Sequence, residues 1–265
     1  WEPVTKTSTP LLSLEAVKRT QAGSVSAVAQ GRVAVPMVRS CQRLAPGMNE
    51  FLLPSLRVAG DAPVSNPQLN HGTSMAETIL QGLTLSPSES GGSSVRVLPV
   101  DVYGNSPETT TFDVARGIYA AINAGATIIN LSMGGDGDNG FLANLIQESH
   151  RGGVLFFGAA GNQPSTTPTY PAAYPDVVAV TAGDKRGNIA PYANRGGFVD
   201  VIAPGLSIVQ YNGQSYLVSG TSASTAYVSG SAAGYRATGK TASQVEVYIR
   251  QSLAVKPTAK PAPRP

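Results

Sequence analysis

Apolar positions in this chain fall into short blocks separated by helical patterns. Seven blocks, Gly31–Val38, Leu56–Ala59, Val95–Tyr103, Ala126–Ser132, Val154–Ala160, Asp176–Ala182 and Phe198–Ala203, are rich in β-branched or small apolar residues and bounded by turn formers. Each is too short for a helix, so each predicts a strand, and Gly31–Val38 has the near-continuous apolar run of a strand covered on both faces in a parallel sheet. Pro36 breaks that strand, because proline has no ladder donor. Ser207–Tyr211 and Ser215–Ser219, joined by Asn212-Gly213-Gln214, predict a hairpin.

Helical spacing fills the intervals. His71-Gly72-Thr73-Ser74-Met75-Ala76 leads into an apolar run ending at Leu83, which predicts a helix with His71 at its N-terminal end. Val114, Ile118 and Ile122 recur every four residues behind a capping Thr111, and Gly125 stops that helix. Phe141–Arg151 is closed by Gly152-Gly153, Ser222 opens a small-residue helix to Ala237, and Thr241-Ala-Ser-Gln244 is a capping box for a last helix to Leu253. Strand and helix alternating through glycine-rich connections predict an α/β fold, a mostly parallel, doubly wound sheet between helix layers with ligands at the carboxyl ends of its strands. Residues 1–30 are Ser/Thr/Ala-rich, with one short helix near Leu12–Arg19, and read as an arm on a domain spanning 31–253. Residues 254–265 form a Pro/Lys-rich tail or linker with no means of burying surface.

Composition narrows the function. The 265 residues include 29 glycines and 20 prolines and only 13% are charged, which suits one loop-rich domain with a full core. Formal net charge is +3, and Lys256, Lys260 and Arg264 of the acid-free tail account for it, so the neutral body gives no reason to expect nucleic acid. Cys41 is alone and reads as a core thiol rather than half of a disulfide, and no cluster has metal-ligand spacing. No apolar run approaches the ~18 residues of a membrane span. No signal peptide is read at the start, and an upstream segment removed by processing is left open.

Ser222 sits where a β-rich segment gives way to a helix, the place where helix-end amides point outward. Two readings follow from the residues alone: a helix cap, or a nucleophile beside an anion-stabilising site. The second needs a base and an oxyanion donor, and imidazole and carboxamide stand at comparable switch points in His71-Gly-Thr and Gly161-Asn162.

Together His71-Gly-Thr, Asn130-Leu-Ser-Met-Gly-Gly135, Gly158-Ala-Ala-Gly-Asn162 and Gly220-Thr-Ser222-Ala, in this order, resemble the motifs of the subtilisin-like serine peptidases, or subtilases. Tyr170-Pro-Ala-Ala-Tyr-Pro-Asp-Val-Val-Ala-Val180 and Val199-Asp-Val-Ile-Ala-Pro-Gly205 are further landmarks, and the resemblance runs from about Gly31 to Leu253. It implies a seven-stranded sheet and peptide-bond hydrolysis through an acyl-enzyme on a peptide or protein substrate, in an extracellular or periplasmic setting and without a cofactor. Ser222 would be the nucleophile, His71 the base and then acid, and Asn162 the side-chain oxyanion donor beside the Ser222 amide. Ser132, Met133 and Gly134 would pair with the substrate backbone as an added strand. Gly158, Ala159, Ala160 and Gly161 would wall the pocket for the residue before the scissile bond. Structural calcium is frequent in the family; Asp136, Asp138 and Asn139 either offer it oxygens or form a bare acidic turn.

The resemblance also exposes a gap. The family's aspartate follows the first parallel strand and orients the histidine, yet no Asp or Glu occurs between Glu15 and Glu50. Met37 or a neighbour stands in its place, with Arg39 adding positive charge, and the flanks of both other motifs depart at Ser74, Glu77 and Ala226-Tyr227. Asp101, near the carboxyl end of the third strand, is the best substitute, and Asp61 a poorer one. Two functions compete: a serine endopeptidase with a degenerate triad, and a catalytically inactive pseudoprotease that binds peptide or a protein partner. A purely structural domain would leave the retained His71, Asn162 and Ser222 unexplained.

Overall fold

The computed structural model describes residues 4–5, 32–37, 49–60, 70–83 and 95–255, the first two segments as backbone only. The helix expected near Leu12–Arg19, and Arg39, Cys41, Asp61 and the tail beyond Val255, lie outside the described residues. Strands are β1 (Val4–Thr5), β2 (Arg32–Met37), β3 (Leu56–Arg57), β4 (Arg96–Asp101), β5 (Thr109–Thr110), β6 (Ile128–Leu131), β7 (Leu155–Ala159), β8 (Val178–Gly183), β9 (Val201–Pro204), β10 (Leu206–Tyr211) and β11 (Gln214–Ser219). Helices are α1 (His71–Leu83), α2 (Thr111–Asn123), α3 (Gly140–Arg151), α4 (Thr221–Ala237) and α5 (Ala242–Ser252).

Seven strands form one sheet in the order β3-β4-β2-β6-β7-β8-β9, every neighbouring pair parallel. This is the α/β architecture that the alternation of blocks predicts. Consecutive residues of a strand face opposite layers. Leu155 and Phe157 therefore enter the core under α1, α4 and α5, while Phe156 enters the core under α2 and α3. Burying each such side chain contributes about 1.5–3 kcal/mol.

Local chemistry sets the boundaries, and three differ from expectation. Strand β2 runs through Pro36 to Met37 in register with β4, but its pairing with β6 involves only Val33 and Ala34. Proline is thus accommodated just beyond the ladder it would interrupt. Thr110, not Thr111, caps α2, its hydroxyl accepting the Asp113 amide at 3.1 Å. The hairpin turn is two residues, Asn212 and Gly213, both at positive φ (49° and 75°), because that turn matches the strand twist; Gln214 already belongs to β11. The capping box of α5 forms as read, Thr241 and Gln244 exchanging hydrogen bonds of 2.9 and 3.2 Å. Beyond it, Ala254 still bridges Val201.

Helices α1 and α4 meet backbone to backbone. A Cβ on Gly230 would stand 1.9 Å from the Ile79 carbonyl oxygen, and one on Gly82 would stand 2.2 Å from that of Tyr227. Only glycine fits at either contact, so the small-residue run of α4 fixes how closely α1 approaches. Replacing Gly230 with alanine is expected to lower stability by about 2–3 kcal/mol, roughly 4–12 °C in Tm for a chain of this size. Gly197→Ala, whose Cβ meets nothing within 4 Å, should stay within ~0.5 kcal/mol in the same thermal melts.

Candidate active site

The close approach of α1 and α4 brings two helix N-termini to the carboxyl end of the sheet. Asn70 caps α1, its Oδ1 accepting the Thr73 amide at 2.8 Å, which holds His71 as the first helical residue. Ser222 is the second residue of α4 and is buried. Gly220 ahead of it has φ 136°, ψ 169°, a conformation open only to glycine, and a Cβ there would press on the Asn162 carboxamide at 3.2 Å.

His71 and Ser222 converge on one atom. The Ser132 carbonyl oxygen, just past β6, accepts from His71 Nε2 at 3.3 Å and from Ser222 Oγ at 3.4 Å. A carbonyl can only accept, so Nε2 carries the proton in this contact. Burial pushes the His71 pKa down to about 4, against the Ser132 carbonyl, which favours the protonated ring. The imidazole is therefore neutral at pH 7.

The Gly161-Asn162 segment is clamped to the start of α4 from both directions. The Thr221 amide donates to Asn162 Oδ1 at 2.9 Å, and Thr221 Oγ1 accepts the Gly161 amide at 3.1 Å. With Oδ1 so engaged, the carboxamide's Nδ2 is the group left to donate. The Ser222 amide lies in the first helical turn, where amides have no intrahelical acceptor. Two donors of the kind an oxyanion needs thus lie beside Ser222.

Buried polar side chains tie β6 to α4. Ser229 Oγ donates to Asn130 Oδ1 at 3.0 Å, Asn130 Nδ2 donates to Ser132 Oγ at 2.9 Å, and Ser132 Oγ donates to the Ser222 carbonyl at 3.1 Å. Residues Asn70, Thr221 and Ser229 carry positions in this site that the sequence reading did not assign. Asn70, an asparagine directly ahead of a helical pattern, was detectable as a cap; the Thr221 and Ser229 contacts join segments far apart in sequence and leave no local pattern.

The remaining candidates fall as follows. Ser132, Met133 and Gly134 are buried, with the Ser132 carbonyl turned toward His71 and Ser222. Gly158, Ala159, Ala160 and Gly161 line the buried end of β7, where a Cβ on Gly158 would meet Ala172 Cα at 2.8 Å. Asp101 ends β4. Since Val97 faces the α1 side and Leu98 and Val100 the α2 side, alternation returns Asp101 to the α1 side. It is the register partner of Met37, one strand spacing (~4.8 Å) from the position the resemblance gives to the missing acid. Its Oδ1 accepts the amides of Tyr103 and Gly104 at 3.0 and 2.8 Å, while Oδ2 is buried without a partner. Among the described residues no hydrogen bond or ion pair joins it to His71. In the acidic turn, Asn139 Oδ1 accepts the Leu142 amide at 3.1 Å as the cap of α3, and Asp136 and Asp138 are exposed. No helix among the described residues is long and apolar enough to cross a membrane.

The depressed His71 pKa fixes the sign of one pH effect. Its folded value, about 4, lies below the ordinary 6.5, so unfolding takes up a proton between them. Its stability contribution is complete above pH 6.5 and is lost as the pH falls through 4. Urea unfolding across this range should show a steeper acid loss for the wild type than for His71→Gln.

A protein-family model described as the subtilase family, Peptidase_S8, matches residues 48–258. The thermophilic serine proteinase of Bacillus sp. (strain AK1) is 34% identical over 186 residues, 69% of this chain and 46% of that protein. Thermitase from Thermoactinomyces vulgaris is 36% identical over 158 residues, 59% of this chain and 57% of that protein. This chain therefore spans about half the length of these curated relatives. Among solved structures, the patellamide maturation protease PatA superposes with a TM-score of 0.65 at 31% identity, covering 84% of each chain.

Proposed function

Because this chain belongs to the subtilase family, we propose that it hydrolyses peptide bonds in a peptide or protein substrate through Ser222, slowly, with His71 as base. The observation that carries this reading is the convergence of His71 Nε2 and Ser222 Oγ on the Ser132 carbonyl beside the Asn162 and Thr221 clamp. In the proposed step Ser222 Oγ attacks the scissile carbonyl carbon and its proton passes to Nε2. The oxyanion takes hydrogen bonds from Asn162 Nδ2 and the Ser222 amide. The imidazolium then returns the proton to the leaving amine, and water releases the acyl group by the same path.

Low turnover follows from the tautomer. Nε2 must be free of its proton to act as base, yet the Ser132 contact requires Nε2–H. In the family an aspartate at Nδ1 enforces the productive tautomer, and a serine peptidase whose histidine is held in the wrong one loses ~10⁴ in turnover, about 5–6 kcal/mol. Asp101 is the carboxylate best placed to stabilise the imidazolium, its α1-side position and unpartnered Oδ2 supporting that role and its two amide bonds fixing it in place. The same tautomer favours the second reading, a pseudoprotease cleft that binds peptide or a protein partner without cutting it. An extracellular or periplasmic location accompanies either reading.

A fluorophosphonate probe separates them. The wild type should label between about pH 6 and 10, and Ser222→Ala should not; no labelling of the wild type would sink the peptidase reading. Asn162→Ala should slow labelling by ~10²–10³, a magnitude established on subtilisin for loss of one such donor. Asp101→Asn should slow it further than a surface control does, and an unchanged rate would remove Asp101 from the mechanism.

A further inference from the structure

We propose that Glu77 is a positioning residue for the His71–Ser222 pair, holding the histidine's helix to the hairpin that delivers the nucleophile; this rests on the peptidase reading above. Glu77 lies six residues along α1 from His71, under two turns, and is only 2% exposed. Its Oε1 accepts the Gln210 amide of β10 at 2.7 Å, and its Oε2 is buried without a partner. One turn further on, Gln81 Nε2 donates to the Ile208 carbonyl at 2.7 Å, and Gln81 Oε1 accepts from Ser207 Oγ at 2.9 Å. The hydroxyls of Thr78 and Ser207 lie 2.9 Å apart.

These contacts have the pattern of a strand ladder. The backbone of Ser207, Val209 and Tyr211 faces β11, so the Ile208 carbonyl and Gln210 amide point out of the hairpin's far edge. Glu77 places an acceptor where a third strand's carbonyl would sit, and Gln81 a donor where its amide would sit. Helix α1 thereby closes the open edge of a hairpin whose last residue, Ser219, is followed directly by Gly220-Thr221-Ser222. A shift of β10 along α1 would be carried through β11 into the start of α4, while His71 stays with α1. The grip sets the separation of the two reacting side chains along the helix axis. The Gly82 and Gly230 contacts set it across the axis.

Burial pushes the Glu77 carboxyl up, against the Gln210 amide and the Gln81 side chain, which favour its charged form. Glutamine keeps the Oε1 acceptor for the Gln210 amide and the shape of the carboxyl group, so it should restore the function that alanine removes.

The test compares Glu77→Ala and Glu77→Gln with the wild type well below their melting temperatures. Glu77→Ala should label at Ser222 at least tenfold more slowly with fluorophosphonate, and Glu77→Gln within twofold of the wild type. Amide exchange at Gln210 should accelerate and the His71 ring resonances should shift in the alanine variant only. An alanine variant that melts lower but labels at the wild-type rate would reduce Glu77 to a packing residue and overturn the proposal. If the wild type does not label at all, the peptidase reading fails by itself. The ring resonances and Gln210 exchange then decide, and their agreement between alanine variant and wild type overturns the inference.

Discussion

Everything at the carboxyl end of the sheet depends on α1 and α4 touching without side chains between them. Gly82 against Tyr227 and Gly230 against Ile79 remove the layer of Cβ atoms that normally separates packed helices. The usual interaxial distance of 8–10 Å depends on the side chains at the contact, and glycine at both crossing points permits a closer approach than any larger residue would. Two helix starts are then close enough for the side chains of His71 and Ser222 to share one oxygen atom. The rest of α4 follows the same logic, since Ala223, Ala226, Ala232 and Ala233 are all buried against the sheet or its neighbours.

Polar groups buried around this contact are almost all paired, and the exceptions are informative. Asn130, fully buried, is satisfied by Ser132 and Ser229, so β6 and α4 are joined by hydrogen bonds where an apolar core would allow sliding. The buried carboxylate oxygens without a partner among the described residues belong to Glu77 and Asp101, one on α1 and one at the end of β4. An orphaned buried oxygen costs about 1–3 kcal/mol, so the fold carries that cost at two places bordering the site. Far from it, α5 is held differently. His150 contacts Asp176 at 3.2 Å and Glu246 at 2.7 Å, and Arg250 bridges Glu246 and Asp200, a partly exposed ion-pair set that salt would weaken.

Much of this was legible in the sequence for reasons that can be stated. Helix α1 was bounded correctly because a glycine and two hydroxyl residues after His71 lead into an apolar run that ends at Leu83. The α5 box was read from Thr241 and Gln244 because its chemistry is local. Pro36 misled because a missing donor matters only on the side where a ladder continues, and which side that is depends on a strand distant in sequence. The Thr110 cap was missed by one residue, since two adjacent threonines offer the same hydroxyl and only backbone geometry chooses between them. In the site, His71, Asn162 and Ser222 stand out by residue type and order, whereas the Thr221 clamp and the Glu77 grip join segments 59 to 133 residues apart. Nothing local marks such pairs.

The Ser132 carbonyl, described above as the meeting point of two side chains, also has a capacity. A carbonyl oxygen has two lone pairs, and His71 and Ser222 engage it at 3.3 and 3.4 Å. The resting oxygen is saturated. On the peptidase reading proposed above, a third donor such as the amide of an incoming peptide would enter by exchange rather than by addition, releasing whichever side chain it displaces.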